Sequence, residues 1–164
     1  ILEDTLLAFR LPAFEGRLRV KERRHPKLYW VDLGLARAGK KSFGPMVVEK
    51  RGALFEGFII QLLRTYQALR PALYDGIYYW AAGGKGSEIE IDVLLTRGED
   101  LLAIEIKSGD RVQEGWLKGL RAFGLKGIKR KILIYNGRRS FITEDKIEVL
   151  TLQDFLQSLE KRKI

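Results

Sequence analysis

The chain has 164 residues, 46% of them apolar, and carries 30 Lys and Arg against 21 Asp and Glu, a formal net charge of +9. That length suits one domain with a core of its own plus a small appendage. The lack of cysteine excludes disulfides and thiolate metal sites, and no apolar run approaches the roughly 20 residues of a membrane-spanning helix. The basic excess points to a polyanionic partner, nucleic acid first among them.

The opening residues lack an initiating Met and a basic segment ahead of an apolar one. They read as the start of a C-terminal piece of a longer protein, without a signal peptide, and a cytoplasmic location is expected. Arg17-Leu-Arg19-Val-Lys21 alternates charged and aliphatic residues, as in a strand with one wet face. After the turn Arg23-Arg24-His25-Pro26, Lys27 to Leu33 predicts a second strand rich in aromatic and β-branched residues. Residues 1–45 are therefore expected to form a winged-helix-like segment around a β-hairpin. His25, the only histidine, has no evident partner and reads as a loop residue rather than a catalyst.

Residues 10–41 hold ten basic side chains against Glu15, Glu22 and Asp32. Arg17, Arg19, Lys21, Arg23, Arg24, Lys40 and Lys41 are candidate phosphate contacts on that ground, with Lys85, Lys129 and Arg130 further along. Gly34 to Lys41 nearly matches the phosphate loop GxxxxGK[ST]. Lys41 stands where a hydroxyl would ligand magnesium, and Phe43-Gly44-Pro45 keeps a helix from starting directly behind it, so nucleotide binding there is rejected.

Pro45 to Arg70 predicts a long helix. Leu54, Phe55, Phe58, Ile59, Leu62, Leu63, Tyr66 and Leu69 form a wide apolar stripe, with Glu56 at its border. Ile77 to Ala81 predicts an aromatic strand and Gly83 to Ser87 a hairpin loop. Two strands follow, 88–95 and 101–107, joined by Thr96 to Asp100. Gln113 to Phe123 predicts a helix with Trp116, Leu117 and Leu120 inward. Arg130 to Tyr135 and Ile147 to Leu150 predict strands, and Thr151 is placed to cap a final helix, Leu152 to Glu160. The order predicts an α/β fold around a mixed sheet flanked by helices. Its first three strands should be antiparallel, and 101–107 should run parallel to 130–135.

Alternation in strands puts Ile89, Ile91 and Val93 on one face and Glu90 and Asp92 on the other. On the next strand Glu105 and Lys107 share a face. Pairing would bring Asp92, Glu105 and Lys107 together. Two carboxylates can hold a hard divalent cation such as Mg²⁺ or Mn²⁺ beside a phosphate, with the Ile106 carbonyl as a further ligand. Lys107 would position the attacking water and offset developing charge, and Glu56 would add a carboxylate from the helix. A rim ion pair between Lys107 and either acid explains the same spacing. Leu101-Leu-Ala-Ile is apolar at every position, as in a strand covered on both faces.

Gly52-Ala-Leu-Phe-Glu56, Glu90-Ile-Asp92 and Ile104-Glu105-Ile-Lys107 resemble the motifs of the PD-(D/E)xK nuclease-like superfamily, most closely the branch with archaeal Holliday-junction resolvases. The resemblance covers residues 46 to 150. It implies a restriction-endonuclease-like domain over 46–164, with Glu56, Asp92, Glu105 and Lys107 catalytic and Asp92, Glu105 and the Ile106 carbonyl on the metal. A second set reaches further along the chain: Leu2-Glu-Asp-Thr-Leu-Leu, Lys27-Leu-Tyr-Trp-Val-Asp32-Leu-Gly, Arg51-Gly-Ala-Leu-Phe-Glu56, Tyr79-Trp80 and Ile104-Glu-Ile-Lys-Ser-Gly109. It is similar to the C-terminal domain of unknown function carried by many archaeal and bacterial AAA+-type ATPases. That likeness implies an upstream ATPase module in the same chain. DNA is the partner expected from the charge, no membrane is expected, and a homodimer is one arrangement. The residues leave two functions open: a metal-dependent endonuclease, or a non-catalytic DNA-binding, regulatory or protein-interaction module that keeps the fold.

Overall fold

The computed structural model describes residues 1–15, 25–41, 43–45, 48–82, 89–161 and 164. In chain order they form β1 (Ala8–Leu11), β2 (Lys27–Trp30), α1 (Leu33–Gly39), α2 (Val48–Leu69), β3 (Gly76–Ala82), β4 (Ile89–Arg97) and β5 (Asp100–Lys107). A 3₁₀ turn (Glu114–Leu117), α3 (Lys118–Ala122), β6 (Ile128–Tyr135), β7 (Phe141–Ile142), β8 (Glu148–Thr151) and α4 (Leu152–Glu160) follow. Six strands make one mixed sheet in the order β3-β4-β5-β6-β8-β7, and β1 and β2 form a separate pair. This is the α/β arrangement expected. β3, β4 and β5 are antiparallel, and β5, β6 and β8 are parallel neighbours.

The sheet is covered on both faces. On one side α2 and α4 supply Ile59, Ile60, Leu63, Phe155 and Leu159, packed on Val93, Leu95, Ile104, Ile106 and Ile134. On the other, Leu117, Leu120 and Phe123 pack on Ile91, Leu94, Ala103 and Leu133. β5 is buried from Leu101 to Ile106, which is why its sequence is apolar without alternation. Each fully buried aliphatic side chain here contributes roughly 1.5–3 kcal/mol.

Several elements differ from expectation for identifiable reasons. β2 pairs with Ala8–Leu11, and the expected strand 17–21 lies outside the described residues. Phe9 and Leu11 of β1 sit in the main core, which anchors the pair. Beyond β1 the chain docks on the sheet edge: Tyr79 N–H donates to the Pro12 carbonyl (3.0 Å) and Phe14 N–H to the Tyr79 carbonyl (2.7 Å). β2 stops short of Leu33 because Asp32 caps α1, its Oδ1 accepting from Leu35 N–H at 2.8 Å. The segment from Gly34 to Gly39 is thus helical, not a phosphate loop. In α2 the buried face includes Ile60, while Phe58 and Leu69 are exposed. The expected helix 113–123 is broken into a 3₁₀ turn and a five-residue helix, consistent with the low helical propensity of Gly115 and Gly119. The two-residue β7 was not anticipated. Thr151 caps α4 as expected, its hydroxyl accepting from Asp154 N–H. Among the described residues no helix is long and apolar enough to cross a membrane.

Candidate functional site

The hairpin of β4 and β5 pairs from Val93↔Ile104 to Arg97↔Asp100. Its tight turn needs Gly98, at φ +57°. On its other side β4 meets β3 with a shift: Tyr78 faces Leu94, but Trp80 faces Ile91. One extra residue of β4 therefore lies opposite Tyr79, a β-bulge at Asp92-Val93. The bulge breaks strict alternation. Val93 joins the α2 face, while Ile91 joins Leu94 on the α3 face, so Ile91 and Val93 do not share a face as the sequence pattern suggested.

Asp92 turns toward β5, and its Oδ2 accepts from Ile106 N–H at 2.8 Å. The carboxylate thus takes the place of a ladder carbonyl just beyond the Val93↔Ile104 pair, where the strand pairing gives out. Glu105 lies beside it, and both are 8% exposed. Lys107 Nζ is 2.5 Å from Glu105 Oε1 and 4.0 Å from Asp92 Oδ2. The three residues read from spacing do converge. Glu105 Oε2 is buried and has no hydrogen-bond partner among the described residues. The surroundings are tight: a Cβ on Gly119 of α3 would lie 3.7 Å from that oxygen and only 2.8 Å from the Glu90 carbonyl.

Glu56 reaches the site from α2. Tyr29 donates its hydroxyl to Glu56 Oε1 at 2.5 Å, and Lys27 Nζ is 3.8 Å from the same oxygen. Lys27 also bonds directly to Glu90. Tyr29, Lys27 and Glu90 were not read as site residues. Lys27 and Tyr29 are two apart on β2, so they share a face, but only the tertiary fold aims that face at Glu56.

Among the described residues, four carboxylates therefore meet two ammonium groups, two positive charges short of balance. Burial, then the charges of Glu105 and Glu56, push Asp92 up to about 7, against the pull of Lys107 and the Ile106 N–H. Glu105 is also raised, by burial first, with Lys107 opposing. Burial acts against the charge on Lys107, but Asp92 and Glu105 outweigh it and hold its pKa above the usual value. Lys27 is raised in the same manner by Glu90 and Glu56. Tyr29 is raised by burial and then by Glu56, so it stays a hydrogen-bond donor.

Of the candidate phosphate contacts, none of the described ones is a member of this cluster. Arg17, Arg19, Lys21, Arg23, Arg24 and Lys85 lie outside the described residues. Lys40 and Lys41 are exposed just past α1. Lys129 and Arg130 sit at the start of β6, whose Ile128 aligns with Leu101, whereas Lys107 aligns with Tyr135 at its end. They are therefore at the opposite end of the sheet from Lys107. Lys129 is 3.5 Å from Asp100, and Arg130 makes two hydrogen bonds to Glu148, of 2.8 and 2.9 Å.

Residues 51–155, the stretch holding every member of the cluster but Tyr29 and Lys27, match the family model described as Domain of unknown function (DUF4143). The chain belongs to this family. DUF4143 is a domain of unknown function typically found at the C-terminus of AAA ATPases, in agreement with the longer of the two sequence resemblances. No curated protein is significantly similar to the chain. In this DUF4143 chain no three His, Asp or Glu side chains among the described residues are grouped so as to hold a metal ion. Asp92 and Glu105 are the two buried carboxylates of the cluster that could hold a divalent cation between them. The partnerless Glu105 oxygen and the upward shift of Asp92 fit a group that supplies positive charge at that point. Mg²⁺ in particular is commonly held by one or two carboxylates, with water and substrate phosphate completing its shell.

Proposed function

We propose that this domain is a nuclease-like DNA-processing module whose site is built for divalent-metal-dependent phosphodiester cleavage, working with an ATPase module in the same chain. The observation that carries the reading is the buried pair Asp92 and Glu105 beside the half-buried Lys107, with one Glu105 oxygen left without a partner among the described residues. A buried, under-compensated pair of acids costs stability, and such costs concentrate at functional sites. Asp92 and Glu105 would hold Mg²⁺ or Mn²⁺, which when bound supplies Lewis acidity and a more acidic water. The Ile106 N–H fixes the Asp92 carboxylate. Lys107 keeps its proton and presents positive charge to the scissile phosphate. Tyr29 and Lys27 hold Glu56 at the border of the site. The test is nicking of supercoiled and branched DNA with Mg²⁺ or Mn²⁺. Activity in the wild type that vanishes in Asp92→Ala supports the reading, and equal cleavage by the two proteins ends it.

One observation favours a second reading, a DNA-binding or regulatory module that does not cut. Lys107 already stands within 2.5 Å of Glu105 and 4.0 Å of Asp92, so an ammonium offsets part of the charge a metal would. That reading expects DNA retention that weakens with salt and no Mn²⁺ bound at Asp92, measured by calorimetry or electron paramagnetic resonance.

A further inference from the structure

Beside the carboxylate cluster, β2, α1 and α2 enclose a groove of about 650 Å³. Tyr29, Trp30, Leu33 and Leu54 give it apolar and aromatic walls, and Lys40 and Lys50 stand on its lining. Both lysines are exposed, and neither has an ion pair among the described residues. Lys27 and Glu56 belong to the groove and to the cluster alike. A ligand lying in the groove would therefore reach the cluster without a break.

We infer that the groove receives an unpaired nucleotide next to the phosphodiester held at Asp92 and Glu105. This rests on the phosphodiester reading of the cluster and extends it to the substrate class: single-stranded DNA, or duplex with an unpaired end, rather than continuous duplex. The volume falls in the range of small-ligand sites, which suits a nucleotide and not a double helix. Aromatic walls stack a base whatever its identity, and cations at the lining hold its phosphates. Aromatic walls with two lysines that have no ion pair among the described residues suit a ligand that joins a flat ring to an anionic group. A nucleotide does so.

The experiment measures binding in EDTA, so that it does not depend on cleavage. The probes are a fluorescent blunt duplex, the same duplex with a short unpaired end carrying 2-aminopurine, and an acidic amphipathic peptide. The expected result is at least about fivefold tighter binding of the unpaired end, with the 2-aminopurine emission quenched. Both effects should be lost in Trp30→Ala and in the exposed pair Lys40→Glu with Lys50→Glu, the latter guarding against a Trp30 variant that fails to fold. Equal affinity for blunt and unpaired ends overturns the inference, as does a preference that survives the lysine reversal. Binding of the peptide but not the oligonucleotides overturns it in favour of a protein-docking groove. Cleavage that shows no preference for unpaired ends defeats this inference alone. A preference for unpaired ends in a protein that never cuts defeats only the catalytic reading.

Discussion

At the start of β6, Arg130 and Glu148 face each other with two hydrogen bonds, and Lys129 answers Asp100. At the other end of the same sheet, Glu56, Glu90, Asp92 and Glu105 share Lys27 and Lys107. The first end is acid and base matched one to one in half-exposed positions, the arrangement that costs a protein little and contributes little. The second holds two buried acids, Asp92 and Glu105, and among the described residues it is short of positive charge, which a sheet rim selected only for stability would have no reason to keep. The contrast separates ordinary ion pairs from the candidate site, although the residue types are the same.

The largest effect should come from removing the cation at the unmatched end. Lys107→Ala leaves two buried acids uncompensated and should cost about 3–5 kcal/mol at pH 8 by chemical denaturation. The loss should shrink at pH 5, where Asp92 takes up its proton. Asp92→Asn should do the reverse. The folded-state pKa of Asp92 is raised to about 7 from 3.8, so between those values the folded protein binds the extra proton. This group's contribution to stability therefore declines as pH rises from about 4 to about 7 and stays low above that. Asp92→Asn should be more stable than the wild type at pH 8, lose the slope in that window, and abolish nicking.

Mn²⁺ at ten times its dissociation constant should stabilise the wild type by about 1.4 kcal/mol. A thermal shift of the same size in Asp92→Asn would place the ion elsewhere. The smallest effect belongs to the matched end. Glu148→Gln should cost about 1 kcal/mol or less and leave the pH slope of Asp92 unchanged. A loss as large as that of Lys107→Ala would erase the distinction between the two ends.

Much of this was legible in local sequence. The β4–β5 hairpin, the long α2 helix, the buried β5 and the Thr151 cap each follow from a pattern within a few residues. So did the meeting of Asp92, Glu105 and Lys107, since neighbouring strands set their register through a short turn. What was not legible depended on distant partners. The bulge at Asp92 exists only in relation to β3, so alternation within β4 alone misplaces Ile91. The pairing of β2 with Ala8–Leu11 is set by Phe9 and Leu11 entering the main core. Exposure of Phe58 and burial of Ile60 reflect where α2 rests on the sheet, which its own periodicity does not specify. Tyr29 and Lys27 join the site across a gap of 27 and 29 residues from Glu56. The α1 helix had a readable cue in Asp32, masked by the strand-like residues before it.

Tyr79 has a consequence of a mechanical kind. It is the residue opposite the bulge, and its outer N–H and C=O are both taken by Pro12 and Phe14, while its hydroxyl donates to the His25 carbonyl. The backbone carrying Asp92 is thus one strand away from a segment that precedes the whole sheet. A pull along residues 12–14 would reach Tyr79 through these hydrogen bonds, one strand away from the bulge that carries Asp92.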